Sequence, residues 1–516
     1  MTPTYGPFRL EVSGWLNPKT DFRIGSADQV SLYTDLPVLR WSQTQDGRPF
    51  IPGSSLRGVM RAHLEREYAL LGMSKETILS LFGHAGNERE GNTTTYRGRL
   101  RVFDSIPDIA SEEPVRPSYE IRDHVSIERA TGTARDKAKF DAECISKYTQ
   151  WKFPFKIVYE GENSADDEII LLGEALRALR AEELVIGSRS AIGCGRFQLT
   201  VESSRAFDRA QPQDLIDFLR YRLNIDSPTT TTEFSFPSPG VGSLSSSDQD
   251  AFHLLAFELD IRCNGPLLVR AGPIPVGEQQ KRKEAMRVDA PTDATFVTTF
   301  GPTEDFTQVP YVPGSSLRGV LRHRAEQICS AQDVGVEVPM RLFGGEKGSL
   351  FYQRGRIRIE NGVVTDILSV CSDHVAVDRI THAAARGAKF DDQALDGPNI
   401  QFRVHVDFTN DLEDLACAAL LLLLIRDLTT ESSGITLGSQ TTRGYGSICP
   451  AKVTDISGSF HGFLANVIER AAATEQDRPS RTAFDSEKLG PKKLFEMLCD
   501  GFDEYWQRVR MRAITA

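Results

Sequence analysis

The chain has few cysteines and no cysteine pattern. Its eight cysteines in 516 residues form no Cys-x-x-Cys and no Cys/His cluster. That argues against structural zinc and a disulfide framework, and fits a reducing cytoplasm. Residues Met1 to Leu16 lack a basic stretch followed by an apolar core, so no secretory signal is expected. The longest apolar run, Leu415 to Ile425, falls well short of the ~20 residues of a membrane span. It reads as a buried helix, and no membrane partner is expected. An excess of positive charge is missing too: the formal net charge is -11, which taken alone argues against a nucleic-acid partner.

The distribution of charge matters more than its sum. Acidic residues concentrate in Asp104 to Glu120, Glu160 to Glu183 and Asp248 to Asp260, whereas Arg57, Arg61 and Arg66 face only Glu65 and Glu67. A locally positive groove on an acidic body can hold RNA. Hydrophobic content of 40% and charged content of 25% are those of a globular protein, and the length exceeds what one core can organise.

One phrase occurs twice. Pro52-Gly53-Ser54-Ser55-Leu56-Arg57-Gly58 returns as Pro313-Gly314-Ser315-Ser316-Leu317-Arg318-Gly319, so the chain reads as two copies of one domain. The other matches keep the same order. Phe8 to Val12 and Phe257 to Ile261 alternate with period 2 and read as half-buried strands. Arg-x-Gly follows (Arg23-Ile24-Gly25, Arg270-Ala271-Gly272), then Asp-x-Pro (Asp35-Leu36-Pro37, Asp289-Ala290-Pro291). The repeated phrase opens a helix, with Ser54 or Ser55 as the natural N-cap and Leu56, Val59, Met60 and Leu64 on one face. Leu81-Phe82-Gly83 and Leu342-Phe343-Gly344 come next. Arginine-edged strands follow (Arg97, Arg99, Arg101; Arg354, Arg356, Arg358), and then Asp123-His124-Val125 to Asp141, matched by Asp373-His374-Val375 to Asp391.

Lys152 to Tyr159 and Gln401 to Phe408 are period-2 strands, each followed by a helix at about 166–183 and 411–428. Each repeat closes on a glycine-rich turn, Gly187 to Arg196 and Gly438 to Ser447. Between the repeats, a short helix over Asp214 to Leu223 leads into Ser227 to Ser247, which has the composition of a solvated linker. Phe463 to Ala473 and Pro491 to Arg510 read as amphipathic helices of a packing or partner extension. The order β, α, β, β, α, glycine turn is close to the split βαβ, ferredoxin-like plan, used by many RNA binders that lay the strand on an open sheet face.

The phrase has the glycine spacing of a P-loop, but Val59 and Val320 stand where the phosphate-binding lysine would be. A nucleotide triphosphate is therefore not expected. A turn at a helix start still offers N–H groups to an anion. Arg57 and Arg61, like Arg318 and Arg322, are like charges at i, i+4 whose repulsion a phosphodiester backbone would relieve. The plain alternative is a capped helix with solvated arginines; recurrence of cap, glycines and arginines together favours RNA backbone. The arginine-edged strands read equally as a solvated face, and His124 and His374 as core or hinge histidines. Asp35 and Asp289 are either Asx-turn caps or the groups that orient a 2′-hydroxyl, take its proton or ligate Mg²⁺. Asp28 is a rival in the first repeat.

This series of motifs, Ile/Val-Pro-Gly-Ser-Ser-Leu-Arg-Gly above all, together with His-x(4)-Arg-x-Thr and the terminal Gly-x-Gly, resembles the RAMP superfamily. More closely, it is similar to backbone subunits of type III CRISPR effector complexes. The likeness covers roughly residues 8–200 and 255–450. It implies an α+β fold of two tandem ferredoxin-like (RRM-like) RAMP domains with thumb-like insertions, over Ile121 to Phe140 and Cys371 to Phe390, plus a helical C-terminal extension. The boundaries expected are 1–205, a 206–250 helix and linker, 251–455 and 456–516. A two-unit chain resembles type III-D-like fusions. No Gly-Gly-Asp-Asp polymerase motif occurs, so the large cyclic-oligonucleotide-making subunit is not implied.

The resemblance further implies a CRISPR RNA guide, a complementary target RNA and other type III effector subunits as partners, in the cytoplasm. It implies Mg²⁺- or Mn²⁺-dependent cleavage of the paired target, once per domain, with Asp35 and Asp289 as the catalytic and metal-binding residues. The implied RNA contacts in the first repeat are Gly53, Ser54, Ser55, Arg57, Arg61, His124, Arg129, Lys139, Gly193, Gly195 and Arg196. Those in the second are Gly314, Ser315, Ser316, Arg318, Arg322, His374, Arg379, Lys389, Arg443, Gly444 and Gly446. A non-catalytic scaffold and a repeat-RNA-processing nuclease are the alternatives.

Overall fold

A computed structural model describes residues 6–25, 34–41, 47–68, 71–84, 96–107, 119–128, 131, 133–149, 151–164, 166–223, 234–237, 252–271, 294–301, 308–345, 353–430, 434–458 and 491–515. The chain divides into two compact units. One comprises Met1–Ile121, Asp141–Ser190 and Cys194–Ser247; the other comprises Arg122–Phe140, Ala191–Gly193 and Asp248–Ala516.

The first repeat runs β1 (Phe8–Pro18), α1 (Gly53–Glu67), α2 (Lys75–Phe82), β2 (Gly83–His84), β3 (Tyr96–Arg97), β4 (Leu100–Val102), β5 (Tyr119–Ile127), β6 (Ala134–Ile145), β7 (Phe153–Gly161), α3 (Asp167–Arg180), β8 (Phe197–Asp208) and α4 (Pro212–Arg222). Its main sheet has the antiparallel order β4-β7-β1-β8. The third and fourth sheet strands of the chain, β7 and β8, thus flank the first, and the second, β4, lies outside the third, which is the split βαβ plan. Leu10, Val12 and Leu16 of β1 and Leu56, Met60 and Leu64 of α1 meet α3 in one core.

β1 departs from its half-buried expectation: Arg9 and Glu11, on its polar side, are buried as well. α4 covers them. Tyr221 donates to Glu11 at 3.3 Å, and the Arg9 guanidinium lies 5.4 Å from the Phe218 ring. An open sheet face for RNA is therefore not what the first repeat offers. The solvated-linker reading also fails locally, because Phe234 and Phe236 pack against this core.

The second repeat continues with β9 (Phe252–Asn264), β10 (Pro266–Leu267), β11 (Ala294–Thr295), β12 (Thr298–Phe300), β13 (Gln308–Val312), α5 (Gly314–Ala331), α6 (Glu337–Phe343), β14 (Ile357–Ile359), β15 (Gly362–Thr365), β16 (Ser369–Val377), β17 (Ala384–Asp396), β18 (Asn399–Thr409), α7 (Leu412–Leu428), β19 (Ser447–Ile448), β20 (Lys452–Gly458) and α8 (Pro491–Thr515). β14, β18, β9 and β20 repeat the order of the first sheet. α7 carries the apolar run and is buried almost all round. α8 supplies part of its cover, with Leu498, Phe502 and Trp506 buried in the same core. No described helix is long and apolar enough to cross a membrane. The helix expected over Phe463 to Ala473 lies outside the described residues.

Each repeat also extends a two-stranded hairpin, β5–β6 and β16–β17. Apolar side chains remain exposed on both, including Ile121, Val125, Val375 and Ile380. These are the thumb-like insertions.

Candidate nucleic-acid interface

The repeated phrase starts a helix, but no serine caps it. The N-cap positions are Pro52 and Pro313, without a side-chain cap bond. Ser55 and Ser316 lie inside the first turn, their N–H groups donating to the Pro52 and Pro313 carbonyls at 2.9 Å; Ser54 and Ser315 lie there with them. The capping oxygen comes from the strand behind. Gly53 N–H donates to Asp104 Oδ1 at 2.7 Å, and Gly314 N–H to Asn361 Oδ1 at 2.9 Å. In the first repeat a carboxylate thus already occupies part of the anion-attracting helix end. Close packing accounts for these glycines: a Cβ on Gly53 would stand 2.4 Å from the Val102 carbonyl oxygen, and one on Gly314 2.3 Å from that of Ile359.

The third glycine of the phrase is different. Gly58 and Gly319 are exposed in mid-helix, with nothing within 4 Å of an added Cβ. Mid-helix glycine costs about 1 kcal/mol relative to alanine, and neither packing nor backbone strain requires it here.

The structure also sorts the arginines. Arg61 and Arg322 are paired with Glu65 and Glu326 at 2.8 and 3.1 Å, so an acid four residues on, rather than a phosphate, relieves the i, i+4 repulsion. Arg99 and Arg101 bind Glu168 and Glu160 at 3.0 and 2.7 Å; Arg356 and Arg358 bind Asp414 and Asp407 at 3.0 and 3.1 Å. Four of the six edge arginines are therefore held by acids, while Arg97 and Arg354 are exposed. Its strands are also shorter than the pattern suggested. Gly98 crosses the Leu-Phe-Gly turn, where a Cβ would lie 2.3 Å from the Phe82 carbonyl carbon, and Gly355 does the same at Phe343. Arg196 is tied to Glu182 at 2.5 Å.

Arg57 and Arg318 have no acidic partner among the described residues. Each guanidinium lies 5.7 Å from a phenylalanine ring, Phe82 or Phe343, which links the phrase to the Leu-Phe-Gly motif. Arg318 also donates to the Phe343 carbonyl. Burial, then the charge of Arg61, lowers the Arg57 pKa; burial, then Arg322, lowers that of Arg318 to about 10. Both stay cationic at neutral pH, partly desolvated and without a counter-ion. An anion would complete them.

Asp35 is exposed, and its loop is pinned to the base of β6. Asp35 N–H donates to Asp141 Oδ1 at 2.9 Å, and Asp141 N–H donates back to Asp35 Oδ2 at 3.0 Å. Leu36 forms a parallel bridge to Ala142. Buried Arg23 braces the loop, donating to the Leu36 and Pro37 carbonyls at 3.3 and 3.0 Å. Sequence reading missed both Asp141 and Arg23 as parts of this site.

In the second repeat the ladders give a different equivalence from the Asp-x-Pro match. Ala294 forms the parallel bridge to Asp392, the position of Ala142 in the matched Ala-Lys-Phe-Asp-x segments. Val297 N–H donates to the Val269 carbonyl as Leu39 N–H does to that of Ile24. Ala294 thus stands level with Leu36, and the residue before it is Asp293. By the same register Arg270 is level with Gly25, since they bridge Phe296 and Val38; the Arg-x-Gly match was two residues out. Asp289, Asp293, Asp28 and Arg129 lie outside the described residues.

On the hairpins, His124 stacks on Phe140 at 5.2 Å and His374 on Phe390 at 4.8 Å. Lys139 and Lys389 make the same cross-strand ion pair, at 3.3 Å to Asp123 and to Asp373; such exposed pairs are weak. Arg379 is exposed beyond β16. In the glycine turns, Gly193 and Gly195 have positive φ, as do Gly444 and Gly446. Gly195 and Gly446 press on the carbonyl oxygens of Ile186 and Leu437, at 2.2 and 1.8 Å from an added Cβ, so their close approach is to protein backbone. Gly444 is open, and Arg443 beside it is exposed.

Hard oxygen donors suit Mg²⁺ or Mn²⁺, and Asp35 with Asp141 supplies two carboxylates side by side, enough for an ion completed by phosphate and water. Among the described residues one group of three potential ligands stands close together: His63, Glu174 and Glu183. Arg177 already holds both of its carboxylates, at 2.6 and 2.8 Å. In the second repeat Arg324 replaces His63 and pairs with Asp427 at 2.5 Å. This group is an ion-pair tie between helices.

Two tandem split-βαβ units, each with a projecting hairpin, a glycine-rich turn and, near a helix start, an arginine with no acidic partner among the described residues, define a class of duplicated α+β proteins. The chain belongs to the RAMP superfamily, whose family model matches residues 16–198 and 260–449. It is 29% identical over 245 residues to a Mycobacterium tuberculosis protein named CRISPR system Cms endoribonuclease Csm3, covering 43% of this chain and 99% of that one. It is 26% identical over 198 residues to the Streptococcus thermophilus protein of the same name, covering 36% of this chain and 86% of that one.

Proposed function

We propose that the chain is a double backbone subunit of a type III CRISPR effector complex, which binds the guide RNA along both repeats and cuts guide-paired target RNA once per repeat. The observation that carries the reading is the pairing of an exposed loop aspartate, Asp35, with Asp141, in a chain whose relatives are named endoribonucleases. Arg57 and Arg318 hold phosphates, Gly58 and Gly319 let the RNA backbone close on the helix, and the hairpins with Arg379 and the two lysines reach across it.

The 2′-oxygen next to the scissile phosphate attacks in line, and Asp35 fixes the loop at which it does so. A bound Mg²⁺ or Mn²⁺ would supply charge neutralisation at the phosphate. The residues to hold it are Asp35 and Asp141 in the first repeat. In the second, the ladder register nominates Asp293, with Asp391 at the position of Asp141. The chain from Asp293 to Pro313 is 20 residues against 17 from Asp35 to Pro52, a closer match than the 24 from Asp289.

A scaffold without cleavage is the second reading, favoured by the Asp141 amide on Asp35, which is what a purely structural aspartate would accept. To separate them, the complex is assembled on a guide, given a complementary RNA with Mg²⁺ or with chelator, and compared with its Asp35→Ala form. Loss of one cut with guide binding retained supports cleavage. Identical cutting by both forms rejects the role of Asp35.

A further inference from the structure

The second repeat contains a histidine–aspartate pair, His374 and Asp392, where the first has His124 and Ala142. Asp392 is completely buried at the base of β17, and three donors converge on it. His374 Nε2 stands 2.8 Å from Oδ2, Gln440 Nε2 donates to Oδ2 at 2.5 Å, and the Tyr445 hydroxyl donates to Oδ1 at 3.3 Å. The Tyr445 oxygen is also 3.4 Å from His374 Nε2. His374 itself is 22% exposed and lies flat on Phe390, with an interplanar angle of 18°. The Arg443 guanidinium lies 5.0 Å from the same ring. Three separate elements, β16, β17 and the glycine turn, are thus spent on orienting one imidazole.

Comparison of the repeats sharpens this. The first keeps His124 and Phe140, but has Ala142 for Asp392, Cys194 for Tyr445 and Arg189 for Gln440. The network is therefore not needed to build the fold. Nor does Asp392 need the histidine for satisfaction, since Gln440 and Tyr445 already donate to both of its oxygens. Its place is also telling: Asp392 bridges Ala294, the residue level with Leu36 of the aspartate loop.

We propose that His374, positioned by Asp392, is the general acid for RNA cleavage at the second repeat; this rests on the endoribonuclease reading above. With Nε2–H donated to Asp392, Nδ1 is the nitrogen that exchanges a proton. As the 2′-oxygen bonds to phosphorus and the P–O5′ bond breaks, the 2′-hydroxyl proton passes to solvent hydroxide. The imidazolium proton passes to the departing 5′-oxygen. The products are a 2′,3′-cyclic phosphate and a 5′-hydroxyl end, and His374 recovers its proton from water. The first repeat has Ala142 in place of that aspartate, and its departing 5′-oxygen takes its proton from solvent.

The test uses the assembled full-length complex with guide and complementary RNA, following both cuts in one reaction, so that the first-repeat cut, identified by its loss in Asp35→Ala, is the internal standard. His374→Ala is expected to slow only the second-repeat cut by roughly a hundredfold, within the range for general acids. Asp392→Asn is expected to slow it less than His374→Ala does. A target with a bridging 5′-sulfur, whose leaving group needs no proton, is expected to restore the His374→Ala rate to that of the unmutated complex. An unchanged second cut in His374→Ala overturns the proposal, and so does an equal loss on the 5′-thio target, which marks a structural or binding role. Absence of any cut in the unmutated complex overturns the endoribonuclease reading itself. Guide affinity and thermal unfolding of each variant separate misfolding from lost chemistry.

Discussion

The exposed helix glycines give the sharpest contrast between stability and binding. Gly58→Ala and Gly319→Ala each place a methyl where nothing stands within 4 Å. The fold should therefore gain the helix propensity of alanine, about 1 kcal/mol per site, or about 2–4 °C in the melting of a unit of this size. Gly53→Ala is the control in the same turn. Its methyl would meet the Val102 carbonyl at 2.4 Å, so either the helix or β4 must shift, at a cost of about 1–3 kcal/mol. RNA binding should run the other way. If phosphodiester backbone closes on Gly58 and Gly319, their alanine variants lose guide affinity about tenfold or more, equivalent to about 1.4 kcal/mol, while melting higher. Thermal unfolding of the free chain and filter binding of labelled guide RNA at fixed salt read the two effects. Variants that melt higher and bind guide with unchanged affinity would refute the reasoning, since the glycines would then serve neither packing nor a ligand.

Four further outcomes follow from other side chains. Arg57→Ala and Arg318→Ala should each weaken guide binding across sequences and reduce the slope of log affinity against log salt by about 1, whereas Arg101→Ala should destabilise the first unit by leaving Glu160 short of a partner, as urea unfolding would report. Trp506→Ala should cost about 3–5 kcal/mol, because the ring is buried against α7 and its Nε1–H donates to Gln332 at 2.7 Å. Burial, reinforced by Glu174 and Glu183 against the charges of His63 and Arg66, pushes the Glu67 carboxyl up to about 7. The folded chain therefore keeps a proton that the unfolded chain releases near pH 4.5, and stability falls as pH rises between those values. Glu67→Gln should abolish that fall and stabilise the protein by about 1–2 kcal/mol above pH 7, with little difference at pH 4.5, measured by urea unfolding across the range.

Sequence pattern alone located the helix start, the Leu-Phe-Gly motif and the buried Leu412–Leu428 helix, because each depends on neighbours a few residues apart; the hairpins were expected only from the family resemblance. What it misjudged depends on distant partners. The cap of α1 comes from Asp104, 51 residues away, and Arg99, Arg101, Arg356 and Arg358, which look solvated in the sequence, are paired with acids on elements that come much later in the chain. The polar side of β1 looked solvent-facing because α4, which covers it, lies 200 residues later in the chain. Phe234 and Phe236 sit in a segment whose composition signals a linker, yet two aromatics suffice to anchor it. The second aspartate was aligned on a proline, Pro37 with Pro291, whereas ladder registers align Leu36 with Ala294.

Cleavage mapping on a complementary RNA with Asp35→Ala, Asp293→Ala and Asp289→Ala complexes tests the central claim most directly. The account predicts that Asp35→Ala and Asp293→Ala each lose one cut and keep the other, that Asp289→Ala keeps both, and that guide binding is intact in all three. Both cuts surviving in the Asp35→Ala, Asp293→Ala double variant would contradict it.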